Sequence, residues 1–101
     1  MGIKLRFVGK EKNGVTSVKG MVKHPMLSYD QAKRQGKKAN FITYMKVTQG
    51  GDVVFEASTS QFLSKNPIFK FKFKGGKKGE KFTVYVEDLL GNKAEKSFPI
   101  R

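Results

Sequence analysis

Residues 64–92 read SKNPIFKFKFKGGKKGEKFTVYVEDLLGN, and this stretch decides the fold. Phe69, Phe71 and Phe73 alternate strictly with Lys70, Lys72 and Lys74. That is the period of a strand with one face in a core and one in water, and a helix cannot segregate it. After GGKKGE a second alternation places Phe82, Val84 and Val86 against Thr83, Tyr85 and Glu87. With glycines at 75, 76 and 79 between them, the two runs read as a β-hairpin whose apolar faces share one core. Pro67 at the start of the first run lacks an N–H that no ladder there requires, and its ring holds Asn66 extended.

Working outward, Ile3, Leu5 and Phe7 alternate with basic neighbours, so residues 2–8 read as a strand, followed by a turn at Lys12-Asn13-Gly14. Val15 to Lys23 is a β-branched strand in which Gly20 suggests a bulge. It ends at His24-Pro25-Met26. Residues 27–40 show neither period and read as a long candidate functional or mobile loop with room for a short helical turn. Phe41 to Gln49 alternates again and is apolar on both faces at its start, as in a central strand. Gly50-Gly51-Asp52 turns into a short strand with Val53, Phe55 and Ala57. Leu90-Gly91-Asn92 turns into a last strand, where Ala94, Lys96, Phe98 and Ile100 share a side. About seven short strands at turn-marked intervals predict an all-β fold, an immunoglobulin-like antiparallel β-sandwich, in a single domain spanning residues 1–101.

Composition narrows the function. A hydrophobic content of 38% with nine Phe closes a modest core without disulfides, and the chain has no Cys. It therefore carries no thiolate metal site and no cysteine nucleophile of its own. His24 is the single His, and a lone imidazole cannot assemble a zinc or copper site. Glu87 and Asp88 are adjacent, but neighbours in a strand point to opposite faces, so Asp88 is read as the residue that caps the turn before Gly91. Ser58, Ser60 and Ser64 lack the His or Lys arrangement of a nucleophile, and GGKKGE lacks the context of a phosphate loop. The expectation is a non-enzyme without metal or cofactor. Residues 1–8 show no lipidation or export signal, Arg6 standing where a myristoylation signal wants Ser or Thr, and no apolar run suits a membrane span.

The charge is the strongest compositional feature: 21 Lys+Arg against 8 Asp+Glu give +13. Such a field attracts acidic proteins or polyanions, although it also describes a merely solvated surface. The basic residues are mostly Lys and the Phe residues fall on the apolar side of the alternation, whereas nucleic-acid modules combine clustered Arg with exposed aromatics.

His24-Pro25-Met26 at a strand end, Gly36-Lys37 before Phe41-Ile42, Ser64-Lys65-Asn66-Pro67 leading into Phe69–Phe73, and Asp88 with Gly91 together resemble the SoxZ family of sulfur-oxidation proteins, from about Val15 to Ile100. The resemblance implies an immunoglobulin-like sandwich that pairs, without catalysing, with SoxY, the partner whose cysteine carries sulfur intermediates from thiosulfate. It further implies transient docking of other Sox enzymes and a periplasmic location reached by co-export with the partner. On this reading His24, Met26, Phe41, Ile42, Tyr44, Met45, Ser64 and Asn66 are the expected partner-binding residues. The strand 41–45 enters because an apolar face without an internal neighbour is a natural interface. The second reading is a free-standing basic β-domain that binds nucleic acid or another polyanion.

Overall fold

The computed structural model describes residues 3–24, 26–59 and 66–101. They form β1 (Lys4–Lys12), β2 (Val15–Lys23), α1 (Tyr29–Gln35), β3 (Ile42–Gln49), β4 (Asp52–Ser58), β5 (Ile68–Lys74), β6 (Lys81–Asp88) and β7 (Lys93–Pro99). A three-stranded sheet in the order β1-β2-β5 packs on a four-stranded sheet in the order β4-β3-β6-β7, with every strand pair antiparallel. This is the immunoglobulin-like division of a sandwich, as the strand spacing predicts. Leu5, Phe7, Val18 and Val22 from the first sheet meet Met45, Val47, Val84 and Val86 from the second, with Phe82, Phe98 and Ile100 filling one end. Two hairpins close on two-residue turns with positive φ at both positions, Asn13-Gly14 (54° and 80°) and Gly50-Gly51 (61° and 85°). Asn-Gly and Gly-Gly suit such turns because both residues tolerate the left-handed region.

Several expectations change. β5 and β6 are not a hairpin: β5 pairs with β2 and β6 with β3 and β7, so residues 75–80 cross between sheets. Gly75 N–H donates to Gly14 O and Thr16 Oγ1 donates to Gly75 O, both at 2.7 Å, which ties the start of the crossing to β2. Gly79 N–H then donates to Ile100 O at 2.9 Å, handing the chain to the other sheet. Phe73 is buried, while Phe69 and Phe71 are half-buried because β5 is an edge strand; Phe71 stacks on Phe55 of β4 at 4.3 Å. Gly20 marks no bulge, since the β1–β2 and β2–β5 registers run through it unbroken. A Cβ there would run into the Phe7 ring, so the glycine makes room for the aromatic directly opposite.

β3 is not apolar on two faces. Its register against β6 shifts between Ile42 and Tyr44, so Ile42 and Met45 both point into the core at full burial. A second shift between Val47 and Thr48 turns Val53 outward, away from the side shared by Phe55 and Ala57. The segment read as a loop contains α1, a short helix closed at both ends. Ser28 and Gln31 form a capping box, and Gly36 ends the helix at φ 65°. The molecule is elongated, 49 × 18 × 18 Å, with a radius of gyration of 14.7 Å. A compact domain of this length has about 13 Å. Its two poles are therefore distinct surfaces.

Candidate functional site

One pole gathers the end of β2, the lead-in to β5, the start of β3 and the β6–β7 turn around Asp88. Asp88 Oδ2 accepts from His24 Nε2 at 3.1 Å, Asn40 Nδ2 at 3.0 Å and Asn92 Nδ2 at 3.0 Å, while Oδ1 accepts from Asn92 N at 2.8 Å. His24 Nδ1 accepts from Met26 N–H at 2.9 Å, so the ring proton sits on Nε2, facing the carboxylate. Asn66 docks against His24 from the other side: its Oδ1 accepts from His24 N at 3.0 Å and its N–H donates to His24 O at 2.9 Å. The backbone of Asn66 is left-handed, at φ 51°, and not extended as the following proline predicts. Asn tolerates that region better than most residues, and the two bonds to His24 hold it there. Met26 adopts φ 48°, which is uncommon for a residue with a long side chain, and Ile42 N–H points at its sulfur at 3.3 Å. The bend therefore rests on contacts from several strands rather than on local preference.

The cluster is buried, with His24 3% and Asp88 5% exposed, and it is saturated. Among the described residues no buried side-chain nitrogen or oxygen lacks a partner. Burial pushes the Asp88 carboxyl up, but the hydrogen bonds from Asn92, Asn40 and His24 outweigh it and hold the group below the usual carboxylate range. The arrangement fastens an ionised Asp beside an imidazole whose two nitrogens are both engaged. Neither presents a free lone pair or proton to a substrate. Chemically it is a clamp on four chain segments.

Of the residues expected from sequence, the structure brings His24, Met26, Asn66, Phe41 and Ile42 together at this pole. Met45 lies deeper in the core, and Tyr44 stands on the outer face of the four-stranded sheet. Ser64 lies outside the described residues, as does Pro25. Because Ile42 and Met45 are fully buried, the premise that β3 offers a spare apolar face is corrected; only Tyr44 of that run points out. Its hydroxyl donates to Glu56, and that hydrogen bond pushes its pKa up to about 12. Sequence reasoning missed Asn40 and Asn92, which lie 48 and 4 residues from Asp88, because an isolated Asn in a turn region reads as a turn former. It also missed Leu89 and Leu90, 40% and 53% exposed at the tip of the Asp88–Gly91 turn, where polar residues are usual. Leu89 N–H donates to Phe41 O at 2.9 Å and Leu90 N–H to Asn40 Oδ1 at 3.3 Å, so the clamp also fixes this apolar tip. Tyr29, 57% exposed, packs edge-on against Phe41 beside it.

The sheet faces differ in charge. The outer face of β1-β2-β5 carries Lys4, Arg6, Lys10, Lys12, Lys19, Lys23, Lys70, Lys72 and Lys74, with no Asp or Glu. The opposite face mixes signs: Lys46 pairs across with Glu56, and Lys93 Nζ lies 3.5 Å from Glu87 Oε1. Among the described residues no group of three or more His, Cys, Asp or Glu could hold a metal ion, and no helix is long and apolar enough to cross a membrane.

Fold and site define an immunoglobulin-like β-sandwich domain with a polar clamp at one pole and a sheet face of a single charge sign. Several solved structures share the fold. A superoxide reductase in the oxidised state superposes with a TM-score of 0.67 at 15% identity, over 96% of this chain and 86% of that one. A variant superoxide reductase (neelaredoxin) from Ignicoccus hospitalis gives 0.59 at 14% identity, over 99% and 80%. The hypothetical protein PH1083 of Pyrococcus horikoshii OT3 gives 0.64 at 15%, over 100% and 88%. At these identities the likeness is one of fold. No curated protein matches the chain. The family of the sulphur oxidation protein SoxZ matches residues 4–99, nearly the whole length, and the chain belongs to that family. Its role lies in the Sox sulfur-oxidation system.

Proposed function

We propose that the chain is the non-catalytic subunit of a SoxYZ-type sulfur-carrier complex, in which it holds a SoxY-like partner whose cysteine bears the sulfur intermediates, and that the complex works in the periplasm. The observation that carries this reading is the saturated cluster around Asp88. The one His of a cysteine-free member of the SoxZ family spends both ring nitrogens on holding strand ends together. A chain so built contributes shape, and the reactive thiol comes from its partner. The clamped pole is the favoured contact, because Leu89, Leu90 and Tyr29 form an exposed apolar rim over buried Phe41, with Tyr44 on the adjoining sheet face. Exposed apolar groups gathered in one patch mark protein–protein contact sites.

The test is to co-express the chain with a SoxY-like protein and measure complex formation for Leu89→Asp/Leu90→Asp and for Tyr44→Asp, each checked for retained fold. The turn variant is expected to weaken the complex by about tenfold or more, as loss of two interface anchors does. Undiminished affinity in both folded variants would move the interface off this pole. Turnover of thiosulfate by the purified chain alone, abolished by His24→Ala, would overturn the scaffold reading.

A further inference from the structure

We infer that the outer face of the three-stranded sheet is a second docking surface, built for an acidic protein that presents carboxylates around an apolar strip. The inference deepens the carrier reading, since it supplies a place where other proteins can meet the complex while the pole stays occupied. Its basis is an asymmetry that composition does not require. Seven of the 8 acidic residues lie outside these three strands, and the eighth, Glu11, sits at an inward-parity position of β1 and accepts from Gly14 N–H, although the opposite sheet face intersperses both signs. Folding alone disfavours that distribution: Lys19 stands directly opposite Lys70, and Lys4 opposite Lys23, and like charges in register repel. None of these side chains takes part in either ion pair found among the described residues. A uniform face kept against that repulsion is explained by a partner of opposite sign.

The class of partner follows from what lies between the lysines. Val8, Met21 and Ile68 occupy neighbouring positions across the three strands, with Val8 44% and Ile68 64% exposed. They run obliquely across the face, Val8 diagonal to Met21 and Met21 opposite Ile68 at the start of edge strand β5, so a partner that covers them meets apolar groups and cations together, as in a protein interface. Among the described residues, the exposed aromatics on which nucleic-acid bases stack are absent from this face, and Arg6 is its single arginine. Electrostatic complementarity there would speed encounter and leave dissociation fast, as transient docking needs.

The experiment uses the complex of the full chain with its cysteine-bearing partner. Three probes are titrated at low and high salt: the most acidic purified enzyme of the same sulfur-oxidation system, poly-L-glutamate, and a short DNA duplex. Lys10→Glu/Lys19→Glu/Lys72→Glu is compared with Lys37→Glu/Lys38→Glu/Lys78→Glu, an equal change of charge at exposed positions off this face. The face variant is expected to bind the enzyme about tenfold more weakly at low salt, the control within about twofold, and both to keep the carrier partner. Ile68→Ser is expected to weaken the enzyme several-fold and leave poly-L-glutamate unchanged. Equal enzyme binding by the two triple variants overturns the proposal. So does preferential, steeply salt-dependent binding of the duplex that Ile68→Ser does not alter, which would mark a bare polyanion surface. Loss of the carrier partner in the face variant alone would make this the carrier interface and also overturn it. Failure of the chain to pair with any cysteine-bearing partner would instead sink the carrier reading, and the three titrations could still be run on the chain by itself.

Discussion

Asp88 receives four donated hydrogens in a buried site, and its protonation state is therefore coupled to folding. Its pKa in the fold lies below the ordinary value of 3.8. The stabilisation it contributes is thus present in full above that value and is lost as pH falls through it towards the lower folded value. Melting temperature should therefore drop on acidification below about pH 4. Asp88→Asn removes this titration and turns an amide towards donors, so it should lower stability at neutral pH by roughly 1–3 kcal/mol and flatten the acid limb. Thermal melts across the acid range check both effects; parallel acid limbs in the two proteins would contradict the coupling. Gly20 poses a steric counterpart. A methyl there would enter the Phe7 ring, so Gly20→Ala should cost about 1–3 kcal/mol by overpacking, despite the higher intrinsic strand preference of alanine.

The elements show what a period can and cannot encode. β2 and the two hairpin turns were legible, because a run of β-branched residues and Asn-Gly or Gly-Gly pairs report geometry set within a few residues. The pairing of β5 with β2 was not: alternation tells which face of a strand is buried but not which strand lies beside it, and the glycines of residues 75–80 serve a crossing as well as a hairpin. The inward run of both Ile42 and Met45 was hidden by a bulge, which breaks the period where the sequence reads as apolar on two faces. α1 buries only Ala32, so it has no apolar stripe; its signal was the pair Ser28 and Gln31 followed by Gly36. At the site, His24 and Asn66 stood out in sequence, whereas Asn40 joins Asp88 only through the fold. Edge position also sets energetics. Phe82 is fully buried and Phe71 half-buried, so Phe82→Ala should cost about 3–5 kcal/mol and Phe71→Ala about half of that. Denaturant titration ranks them; equal losses would mean that β4 covers β5 far more completely than its single aromatic stack shows.

Across the whole molecule, one sheet face is uniformly basic and the other mixed, so the same charge reversal should have opposite signs on the two. Lys19 stands opposite Lys70 with no acid near it on the face, and Lys19→Glu replaces a repulsion by an attraction. The isolated chain should gain about 0.2–1 kcal/mol, the range for cross-strand charge pairs. Lys46 faces Glu56 across β3 and β4, and its ammonium lies 5.7 Å from the Tyr85 ring. Lys46→Glu forfeits both contacts and should destabilise by a similar amount. Both changes remove the same two units from a net charge of +13, so relief of overall self-repulsion cancels between them and the difference isolates the local field. Salt supplies the second axis. With a screening length of about 10 Å at 0.1 M, the gain in Lys19→Glu should shrink as ionic strength rises, while the unaltered chain becomes more stable. Melts of the three proteins at low and moderate salt decide the matter. If Lys19→Glu failed to stabilise, the lysines would be splayed far enough apart in water to cost nothing, and the even sign of the face would need no partner to explain it. If it stabilises the chain while weakening association with an acidic enzyme, the residue trades fold stability for recognition, as expected of a lysine retained for contact.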